Sequence, residues 1–399
     1  MFEASKETEL LYRGDHVEGI DLSTEALPIY TTTAFTWHSL DEVQEAYRGV
    51  ARGDGFSYIR TINPNRSALG EAIAFLENGE ASLICSSGMG AIASTLLTVV
   101  KAGDHVIYSN CCYGETLDIM RDLLVKFGVE VTPVNIDNFE EVKAAMRPNT
   151  KVIYSEVVAN PLMKVADVPA LAELIHGNGG VLIIDNTFTT PFAFRPLEHG
   201  ADIVINSLTK FLNGHSDAMA GAVTSSAEWI TRIKPVGMFC GTPSDPFSAW
   251  LVSRSLRTAQ LRIPLQMANA AKIARALEKD PHVTAVYHPC IEGFSGHETA
   301  LRLFENESKM CAMISFLVVS EDEAKRNEFM KRLRFAHYAP TLGGVRTTYQ
   351  QPIYSSHAHV PDDIRRKAGI TPAMFRISTG IENADDIIED FTQALKAFD

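Results

Sequence analysis

Six apolar segments recur between residues 81 and 207, and each is separated from the next by a segment with the pattern of an amphipathic helix. The apolar segments are ASLIC, HVIYS, VEVTPV, KVIYSEVV, VLIIDN and ADIVINS. Apart from VEVTPV, they are apolar almost throughout rather than alternating, as strands are when helices cover both faces of their sheet. The sequence therefore predicts an α/β fold with a doubly wound, mostly parallel sheet.

The pattern differs on either side of this region. Residues 1–60 show little periodicity and are expected to form an N-terminal arm that contacts a neighbouring subunit. Residues 61–250 are expected to form the large domain. Residues 251–399, with the segments CAMISFLVV and FRISTG among long helical patterns, are expected to form a smaller C-terminal α/β domain.

Composition argues against several classes of protein. The net charge is −13 and no basic cluster stands out, so we expect no nucleic acid partner. No apolar run reaches the roughly 18 residues that a membrane span needs, and the charged first residues do not resemble a signal peptide. A cytoplasmic protein with no membrane partner is expected. The six cysteines lack the spacing of a zinc site, so we expect reduced thiols and no metal.

Polar residues follow several predicted strands, at the edge where an open parallel sheet binds its ligands. CSSGMG leads into a helix, and the first amides of that helix, at Gly88 and Met89, can bind an anion. VLIIDN places Asp185 at the end of an apolar strand, as a carboxylate that either caps a helix or pairs with a buried cation. Each feature alone is weak, because glycines and acids are common at helix starts.

The segment NSLTK places Lys210 just after an apolar strand, with hydroxyls at Ser207 and Thr209. Tyr113 comes after another strand, HVIYS, within the sequence NCCYGET. A lone lysine at the start of a loop is usually solvated, and a lone tyrosine usually packs as an ordinary aromatic residue. A lysine at the ligand-binding edge of a sheet, however, is costly to bury unless it has a partner.

Together these residues match the requirements of pyridoxal 5′-phosphate (PLP). This cofactor needs an amine that bonds its aldehyde, an acid beside its ring nitrogen, a phosphate cradle and a flat partner for its ring. The residues that supply these groups are, in that order, Lys210; Asp185; Gly88, Met89, Ser207 and Thr209; and Tyr113. The combination is far more specific than any single member.

The sequence resembles the Cys/Met-metabolism family of PLP-dependent enzymes over almost its whole length. INSLTKFLNGHSDAMAGAV is similar to the lysine signature of that family, and SYIRTINPNRSALGEAIAFLENGEASLICSSGMGAI, NCCYGET, EVVANPLMKVADV, IIDNTFTTPF and FRISTGIE match in order and spacing. The family includes cystathionine γ-synthase, cystathionine lyases, methionine γ-lyase and homoserine-ester sulfhydrylases. The resemblance implies the PLP-dependent transferase fold of the aspartate aminotransferase type.

The resemblance also implies roles for individual residues. Lys210 would carry the cofactor, Asp185 would pair with its ring nitrogen, and Tyr113 would stack on its ring and protonate the leaving group. Tyr58 and Arg60 would reach the cofactor phosphate of a neighbouring subunit, in a dimer that usually pairs into a homotetramer. The residues implied at the substrate are Arg376, which would bind the α-carboxylate, with Asn160 and Thr341.

The chain departs from the family pattern where substrate specificity is set. Methionine γ-lyases typically have a cysteine two residues after the stacking tyrosine, and this chain has Glu115. Many members have Ser-Leu-Gly-Gly-x-Glu, whereas TLGGVRTT places Arg346 at the glutamate position. The next segment is altered to QQPIYSSH. If Glu115 and Arg346 both face the substrate, they would suit a zwitterionic tail; otherwise they pair with each other or face solvent.

The leading hypothesis is a PLP-dependent carbon–sulfur lyase that performs α,γ-elimination, with or without β-elimination, on methionine, homocysteine or cystathionine. The alternative within the family is γ-replacement on an O-acyl or O-phospho homoserine. A nicotinamide-dependent oxidoreductase would suit the sheet, but the sequence lacks G-x-G-x-x-G and Lys210 would have no role. A non-catalytic PLP-binding protein is disfavoured by the presence of Lys210, Tyr113 and Arg376.

Overall fold

The computed structural model of the chain describes residues 5–15, 17, 24–52, 55–355, 357–358 and 362–399. Its strands are β1 (Ala81–Cys85), β2 (His105–Ser109), β3 (Glu130–Val134), β4 (Thr150–Glu156), β5 (Val158–Ala159), β6 (Lys164–Val165), β7 (Val181–Asp185), β8 (Ile203–Asn206), β9 (Gly221–Ser225), β10 (Val283–Tyr287), β11 (Met313–Val318), β12 (His337–Tyr338), β13 (Thr348–Gln350) and β14 (Met374–Ser378).

The α-helices are α1 (Lys6–Tyr12), α2 (Leu40–Arg52), α3 (Pro64–Glu77), α4 (Gly88–Val99), α5 (Gly114–Asp118), α6 (Phe139–Ala145), α7 (Val168–Gly177), α8 (Thr190–Ala193), α9 (Ala227–Cys240), α10 (Pro246–Leu256), α11 (Ala259–Leu277), α12 (His297–Leu303), α13 (Glu323–Arg332), α14 (Asp362–Lys367) and α15 (Ala384–Leu395). A π-helical turn (Ile119–Leu124) and a 3₁₀ turn (Val125–Phe127) extend α5. Further 3₁₀ turns are Pro196–His199, Glu307–Lys309, Pro352–Tyr354 and Lys396–Phe398.

The large sheet has seven strands in the order β1-β9-β8-β7-β4-β2-β3. Strands β3, β2, β4, β7 and β8 pair in parallel, and β9 is antiparallel to both of its neighbours, β8 and β1. The predicted doubly wound, mostly parallel sheet is confirmed. The antiparallel β9 was not separated in the sequence from the loop that precedes it.

Burial on both faces explains why the strands are apolar throughout. Along β4, Val152 and Tyr154 face one hydrophobic core and Ile153, between them, faces another. All three side chains are fully buried. Because neighbouring residues of a strand point to opposite faces, a sheet covered by helices on both sides needs apolar residues at every position.

A second sheet, in the order β10-β11-β14-β13-β12, lies in the C-terminal part of the chain. Its strands are antiparallel except for the β12–β13 pair. Aromatic rings pack on one side of it: Phe329 lies edge-on to Phe375 at 4.9 Å, and Phe391 lies edge-on to Phe316 at 6.2 Å. This core holds the strand that carries Arg376.

The described part of the N-terminal region contains two helices, α1 and α2, that the sequence pattern did not predict. Leu10 of α1 is buried in the same core as Leu69 and Ile73 of α3. Arg257 donates a hydrogen bond of 2.5 Å to Asp15, which fixes the residues after α1 to the same body. Part of the predicted arm therefore packs on its own chain. Within the described residues, no helix combines the length and the apolar character needed to cross a bilayer.

Candidate active site

A cavity of about 600 Å³ lies at the carboxyl ends of β2, β4, β7 and β8, where an open parallel sheet binds ligands. Helix α4 points its N-terminus into the cavity, and residues that precede and follow β13, together with β14, close it from the side of the second sheet. The residues that line it are Ser87, Gly88, Met89, Ile92, Tyr113, Gly114, Glu115, Leu117, Asp118, Arg121, Glu156, Asn160, Asp185, Thr187, Phe188, Ser207, Thr209, Lys210, Met219, Pro340, Thr341, Leu342, Gln350, Ser355 and Arg376.

Two buried carboxyl groups, Asp185 and Glu156, lie side by side because β7 and β4 pair in parallel with these residues in register. The oxygens of Glu156 accept hydrogen bonds from the backbone amides of Tyr113 (2.6 Å) and Asn160 (3.0 Å). Asp185 accepts one from the Thr187 amide (2.9 Å), and the Tyr154 hydroxyl makes a long contact of 3.4 Å with its Oδ2. Asp185 therefore retains acceptor capacity for a ligand, whereas both oxygens of Glu156 are engaged.

Burial raises the pKa of both carboxyl groups, because it disfavours their charged forms. The negative charge of Asp185 raises the pKa of Glu156 further. A positively charged group beside Asp185 would reverse this effect and keep Asp185 ionised. The cavity thus has a built-in preference for a cation at the end of β7.

The N-terminus of α4 forms an anion cradle with Ser207. The amides of Gly88 and Met89 precede the first hydrogen bond within the helix, whereas the amide of Gly90 is capped by the Ser87 hydroxyl at 3.0 Å. A Cβ at Gly88 would lie 2.9 Å from the Cβ of Ser207, so only glycine allows this close approach. Two free amides, a hydroxyl and the helix dipole suit a phosphate group.

Thr209 also lines the cavity, but its hydroxyl is engaged elsewhere. It donates to the Ala220 carbonyl and accepts from the Ala220 amide, both at 3.1 Å. The Ser207 amide donates to the Thr187 hydroxyl at 2.8 Å, which joins the loops after β7 and β8. The Thr209 side chain therefore fixes the turn that bears Lys210, and a hydrogen bond from it to a phosphate would require it to release Ala220.

Lys210 lies in the turn after β8, and its Nζ has no hydrogen-bond or ion-pair partner among the described residues. Burial, with a smaller contribution from the charge of Arg376, lowers the pKa of this amine. The loop that contains Gly343 packs directly against its backbone: a Cβ at Gly343 would lie 2.6 Å from the Lys210 carbonyl carbon. The result is a firmly held lysine whose amine loses its proton more readily than an exposed lysine does.

Arg376 lies at the centre of β14 with 4% of its surface exposed. Its Nη1 donates to Asn160 Oδ1 at 2.6 Å. The amide oxygen of Gln350, in the orientation that satisfies both side chains, accepts from the same guanidinium. No carboxylate lies within ion-pair distance of Arg376 among the described residues. A buried arginine held by two neutral acceptors is placed to bind an anionic group of a ligand.

Tyr113 caps the N-terminus of α5, and its backbone amide is held by Glu156. Burial and the nearby Glu115 raise the pKa of the Tyr113 phenol, while Arg376 lowers it. Glu115 is exposed at the same cavity. The phenol and Lys210 therefore face a common space in which a proton donor and a proton acceptor can act on one molecule.

Three of the predicted site residues lie outside this cavity. Tyr58 and Arg60 are exposed, and the guanidinium of Arg60 lies 5.7 Å from the Tyr58 ring centroid. Arg346 is also exposed, although the backbone beside it is fixed by hydrogen bonds of 2.9 Å between Val345 and both Gly214 and Ile381. The structure thus places Glu115 at the cavity and Arg346 away from it.

Glu156, Gln350 and Phe188 also line the cavity, and no sequence motif had assigned them a role. Glu156 connects the loops that carry Tyr113 and Asn160, Gln350 holds Arg376, and the ring of Phe188 lies 5.9 Å from the Arg376 guanidinium carbon. The position of Glu156 at the end of an apolar strand, in register with Asp185, was a signal that the sequence contained. Gln350 carried no comparable signal.

The groups of the cavity fit PLP. The free amine of Lys210, the acceptor of Asp185 and the amides of Gly88 and Met89 correspond to the aldehyde, the protonated ring nitrogen and the phosphate of that molecule. Arg376 is a buried cation of the same cavity that none of these three groups of PLP would bind.

Comparison with known proteins agrees with this geometry. A sequence model described as Cys/Met metabolism PLP-dependent enzyme matches residues 7–396. The chain is 40% identical over 376 residues to an L-methionine gamma-lyase of Fusobacterium nucleatum subsp. polymorphum, covering 94% of each chain. It is 40% identical over 343 residues to a cystathionine gamma-lyase of Bacillus subtilis, covering 86% of this chain and 89% of the relative.

Solved structures of enzymes with cystathionine in their names have the same fold as this chain. The crystal structure of cystathionine gamma-lyase from Lactobacillus plantarum in complex with L-serine superposes with a TM-score of 0.90 at 31% identity, covering 99% of both chains. The structure of cystathionine gamma synthase from Xanthomonas oryzae pv. oryzae has a TM-score of 0.90 at 30% identity, covering 100% of this chain and 99% of that one. The fold and PLP as the cofactor are those that the sequence predicted, and the chain belongs to the Cys/Met-metabolism family of PLP-dependent enzymes.

Proposed function

We propose that this chain is a PLP-dependent carbon–sulfur lyase that catalyses α,γ-elimination of a sulfur-containing amino acid such as methionine, homocysteine or cystathionine. The products are a 2-oxo acid, ammonia and a thiol. One observation carries the proposal: Lys210 and Arg376 line the same cavity. Among the residues that the structure describes, the amine of Lys210 has no partner and the buried guanidinium of Arg376 has no carboxylate within ion-pair distance. The relatives named above as lyases support the same assignment.

The residues of the cavity would hold PLP at both ends. The amides of Gly88 and Met89 and the hydroxyl of Ser207 would bind its phosphate, and Asp185 would keep its ring nitrogen protonated. When bound, PLP supplies an aldehyde that bonds amines and a ring that accepts the electrons of a broken bond at Cα. Tyr113 would lie against the ring.

The protein's own groups would then act on the substrate. Arg376, with Asn160 and Thr341 beside it, would bind the α-carboxylate and so fix the orientation of the Cα–H bond. Lys210, whose pKa burial lowers, would take the Cα proton. γ-Elimination requires a further proton transfer at Cβ, and the same lysine would perform it.

Tyr113 would protonate the sulfur as the Cγ–S bond breaks. A phenol with a raised pKa holds its proton at neutral pH and can donate it to a thiolate that leaves. With β-substrates such as cystine, the chain would need only the first proton transfer. γ-Replacement remains the alternative, because a homoserine ester would bind to the same groups and differ only in the steps after loss of the γ-substituent.

Product analysis tests the proposal. Purified holoenzyme is incubated with methionine, cystathionine and O-acetylhomoserine, with and without an added thiol, and the 2-oxo acids are identified by mass spectrometry. We expect 2-oxobutanoate from methionine or cystathionine without an acceptor. Turnover of the ester only when a thiol is present, with no 2-oxo acid from the sulfur substrates, would instead establish γ-replacement.

We also propose that Tyr58 and Arg60 complete the active site of a second subunit, and that the chain forms a dimer that pairs into a tetramer. In support, both side chains are exposed and lie outside the cavity of their own chain. The phosphate cradle of that cavity also has no basic side chain among its predicted members Gly88, Met89, Ser207 and Thr209. A cation from the neighbouring subunit would offset the phosphate charge.

Hybrid oligomers test the shared site. Arg60→Ala and Lys210→Ala subunits should each be nearly inactive, but mixing them should restore activity. In a mixed dimer, one site combines the intact Lys210 of one chain with the intact Arg60 of the other. Subunit exchange is verified by native mass spectrometry, and the Lys210→Ala protein mixed with itself is the control. An inactive mixture in which exchange has occurred would contradict the proposal.

A further inference from the structure

A buried cluster behind the cofactor cavity contains a carboxyl group that the mechanism does not use. Glu77 is the last residue of α3 and is 0% exposed. Its Oε1 accepts hydrogen bonds from Asn186 Nδ2 (2.9 Å) and from Asn206 Nδ2 (2.7 Å). The three residues come from separate elements, and none of them lines the cavity.

The two asparagines occupy informative positions in the sequence. Asn186 comes directly after Asp185, and Asn206 directly precedes Ser207. One carboxyl oxygen of Glu77 therefore links the ends of β7 and β8, the two strands that present the ring-nitrogen partner and the first residue of the phosphate-binding turn. Asn186 Nδ2 also donates to the Phe194 carbonyl at 2.9 Å, so both hydrogens of this nitrogen are used.

The remaining oxygens of the cluster lack donors. Glu77 Oε2, Asn186 Oδ1 and Asn206 Oδ1 are all buried, and none has a hydrogen-bond partner among the described residues. Three buried acceptors without a donor are unfavourable. One proton on Glu77 Oε2 would supply a donor to the cluster while leaving Oε1 free to accept from both asparagines.

The charges around Glu77 agree with a protonated carboxyl. No lysine, arginine or histidine among the described residues forms an ion pair with Glu77. Burial raises the pKa of this carboxyl to about 7, an effect partly opposed by its hydrogen bonds with the asparagines and by the charge of Arg195. The charge of Glu198 raises the pKa of Glu77. Glu198 also lies 3.7 Å from Arg195 and offsets its charge.

We propose that Glu77 is a positioning residue that holds Asp185 and Ser207 at the spacing PLP requires, and that it does so as a neutral carboxylic acid. Ionisation of Glu77 would remove the proton that lets Oε2 act as a donor in this cluster and would place a charge in the core that has no ion-pair partner among the described residues. The arrangement of the cofactor site would then depend on a proton that is not part of the reaction. The proposal rests on the assignment of Asp185 and Ser207 to the cofactor.

PLP affinity of the apoprotein, measured by the visible absorption of bound cofactor, tests the proposal. Glu77→Gln is a neutral side chain of the same shape that cannot ionise. We expect its dissociation constant for PLP to lie within about twofold of the native value at pH 6. Glu77→Leu, which leaves both asparagine amides without an acceptor, should bind PLP about tenfold or more weakly. Glu173→Gln, at an exposed position of α7, is the matched control.

The pH dependence separates positioning from a merely structural role. Above pH 7 the native protein should lose PLP affinity relative to Glu77→Gln, because only the native carboxyl can ionise. Thermal unfolding gives a second readout. Because the folded protein retains this proton more strongly than the unfolded chain, native stability relative to Glu77→Gln should fall as the pH rises from about 4.5 to about 7 and then remain level.

Each outcome decides between the alternatives. If Glu77→Gln binds PLP as poorly as Glu77→Leu, the negative charge is needed and the neutral acid is refuted. If Glu77→Leu binds like the native protein, the positioning role is refuted. If Glu77→Leu does not fold, the comparison of native and Glu77→Gln across pH still decides. Asp185→Asn in the same titration should lose affinity; if it does not, the assignment of the cofactor site has failed, not the role of Glu77.

Discussion

Replacement of Arg376 should impair binding of the substrate carboxylate and leave the cofactor in place. The guanidinium is buried and held by Asn160 and Gln350, and no carboxylate lies within ion-pair distance of it among the described residues. Two charge-assisted hydrogen bonds to a substrate carboxylate contribute about 3–6 kcal/mol, at about 1.5–3 kcal/mol each. The cost of removing both charges from water places the net effect toward the lower end. We expect Arg376→Gln to lower kcat/KM for methionine by about 10²-fold or more.

The assay compares two ligands that differ only in the carboxylate. One is methionine, and the other is the amine that remains when the carboxylate of methionine is removed. Both change the absorption of bound PLP, so their dissociation constants can be measured in the native protein, Arg376→Gln and Arg376→Lys. Arg376→Lys should recover only part of the loss, because an ammonium group lacks the planar fork that binds both oxygens.

The carboxylate-free amine is the decisive control. If Arg376 binds the carboxylate, its replacement weakens methionine and leaves the amine almost unaffected. An equal loss for both ligands would mean that Arg376 instead supports the cavity wall, and the assignment of its role would be refuted. PLP affinity and the midpoint of thermal unfolding are measured in the same variants, because removal of a buried arginine also leaves Gln350 and Asn160 without a partner.

Two further predictions concern the loop at Lys210 and the distal end of the substrate. Gly343→Ala should weaken PLP binding and destabilise the fold by more than Gly293→Ala does. Both glycines have a positive φ, a conformation that costs alanine about 1–2 kcal/mol. Of the two, only Gly343 would bring the new Cβ against backbone atoms, those of Lys210 and Phe211. Equal losses in thermal unfolding and PLP titration would contradict this. Glu115→Gln should change the cystathionine-to-methionine ratio of kcat/KM by up to about fivefold, the limit for an exposed charge, whereas Arg346→Gln should leave it unchanged. A change caused by Arg346→Gln would show that this exposed residue reaches the substrate.

The large sheet could be predicted because burial on both faces constrains the residues of each strand separately. Residues such as Val152 and Ile153 must both be apolar when helices cover both faces, and this requirement is visible in any window of the sequence. The antiparallel direction of β9 could not be predicted in this way, because the direction of a strand depends on how the chain returns to the sheet. Helix α2 was missed for another reason: LDEVQEAYRGVAR was assigned to an arm without local structure, although good helix formers such as leucine, glutamate and alanine make up much of it.

The residues that contact PLP in the proposed site were inferred from motifs, because amine, carboxylate and glycine have few substitutes in their chemistry. Supporting residues have no such constraint in sequence. Gln350 holds Arg376, yet a glutamine near a strand gives no sign of what it will contact. Arg346 differs from these residues: its position in the TLGGVR motif suggested a role at the substrate, and its side chain is exposed and does not line the cavity, so this role stays a prediction. Sequence spacing locates the backbone of a motif but not the direction of each side chain.

The pKa shifts of the cavity give a common physical reason for its composition. Burial raises the pKa of Asp185 and Glu156 and lowers those of Lys210 and Arg376, so each group is held in an environment that disfavours its charge. A ligand that brings a cation to Asp185 and an anion to Arg376 relieves both penalties at once. Burial also lowers the pKa of Lys210, which lines the same cavity. The same burial that disfavours these charges therefore favours ligands that place a cation beside Asp185 and an anion beside Arg376.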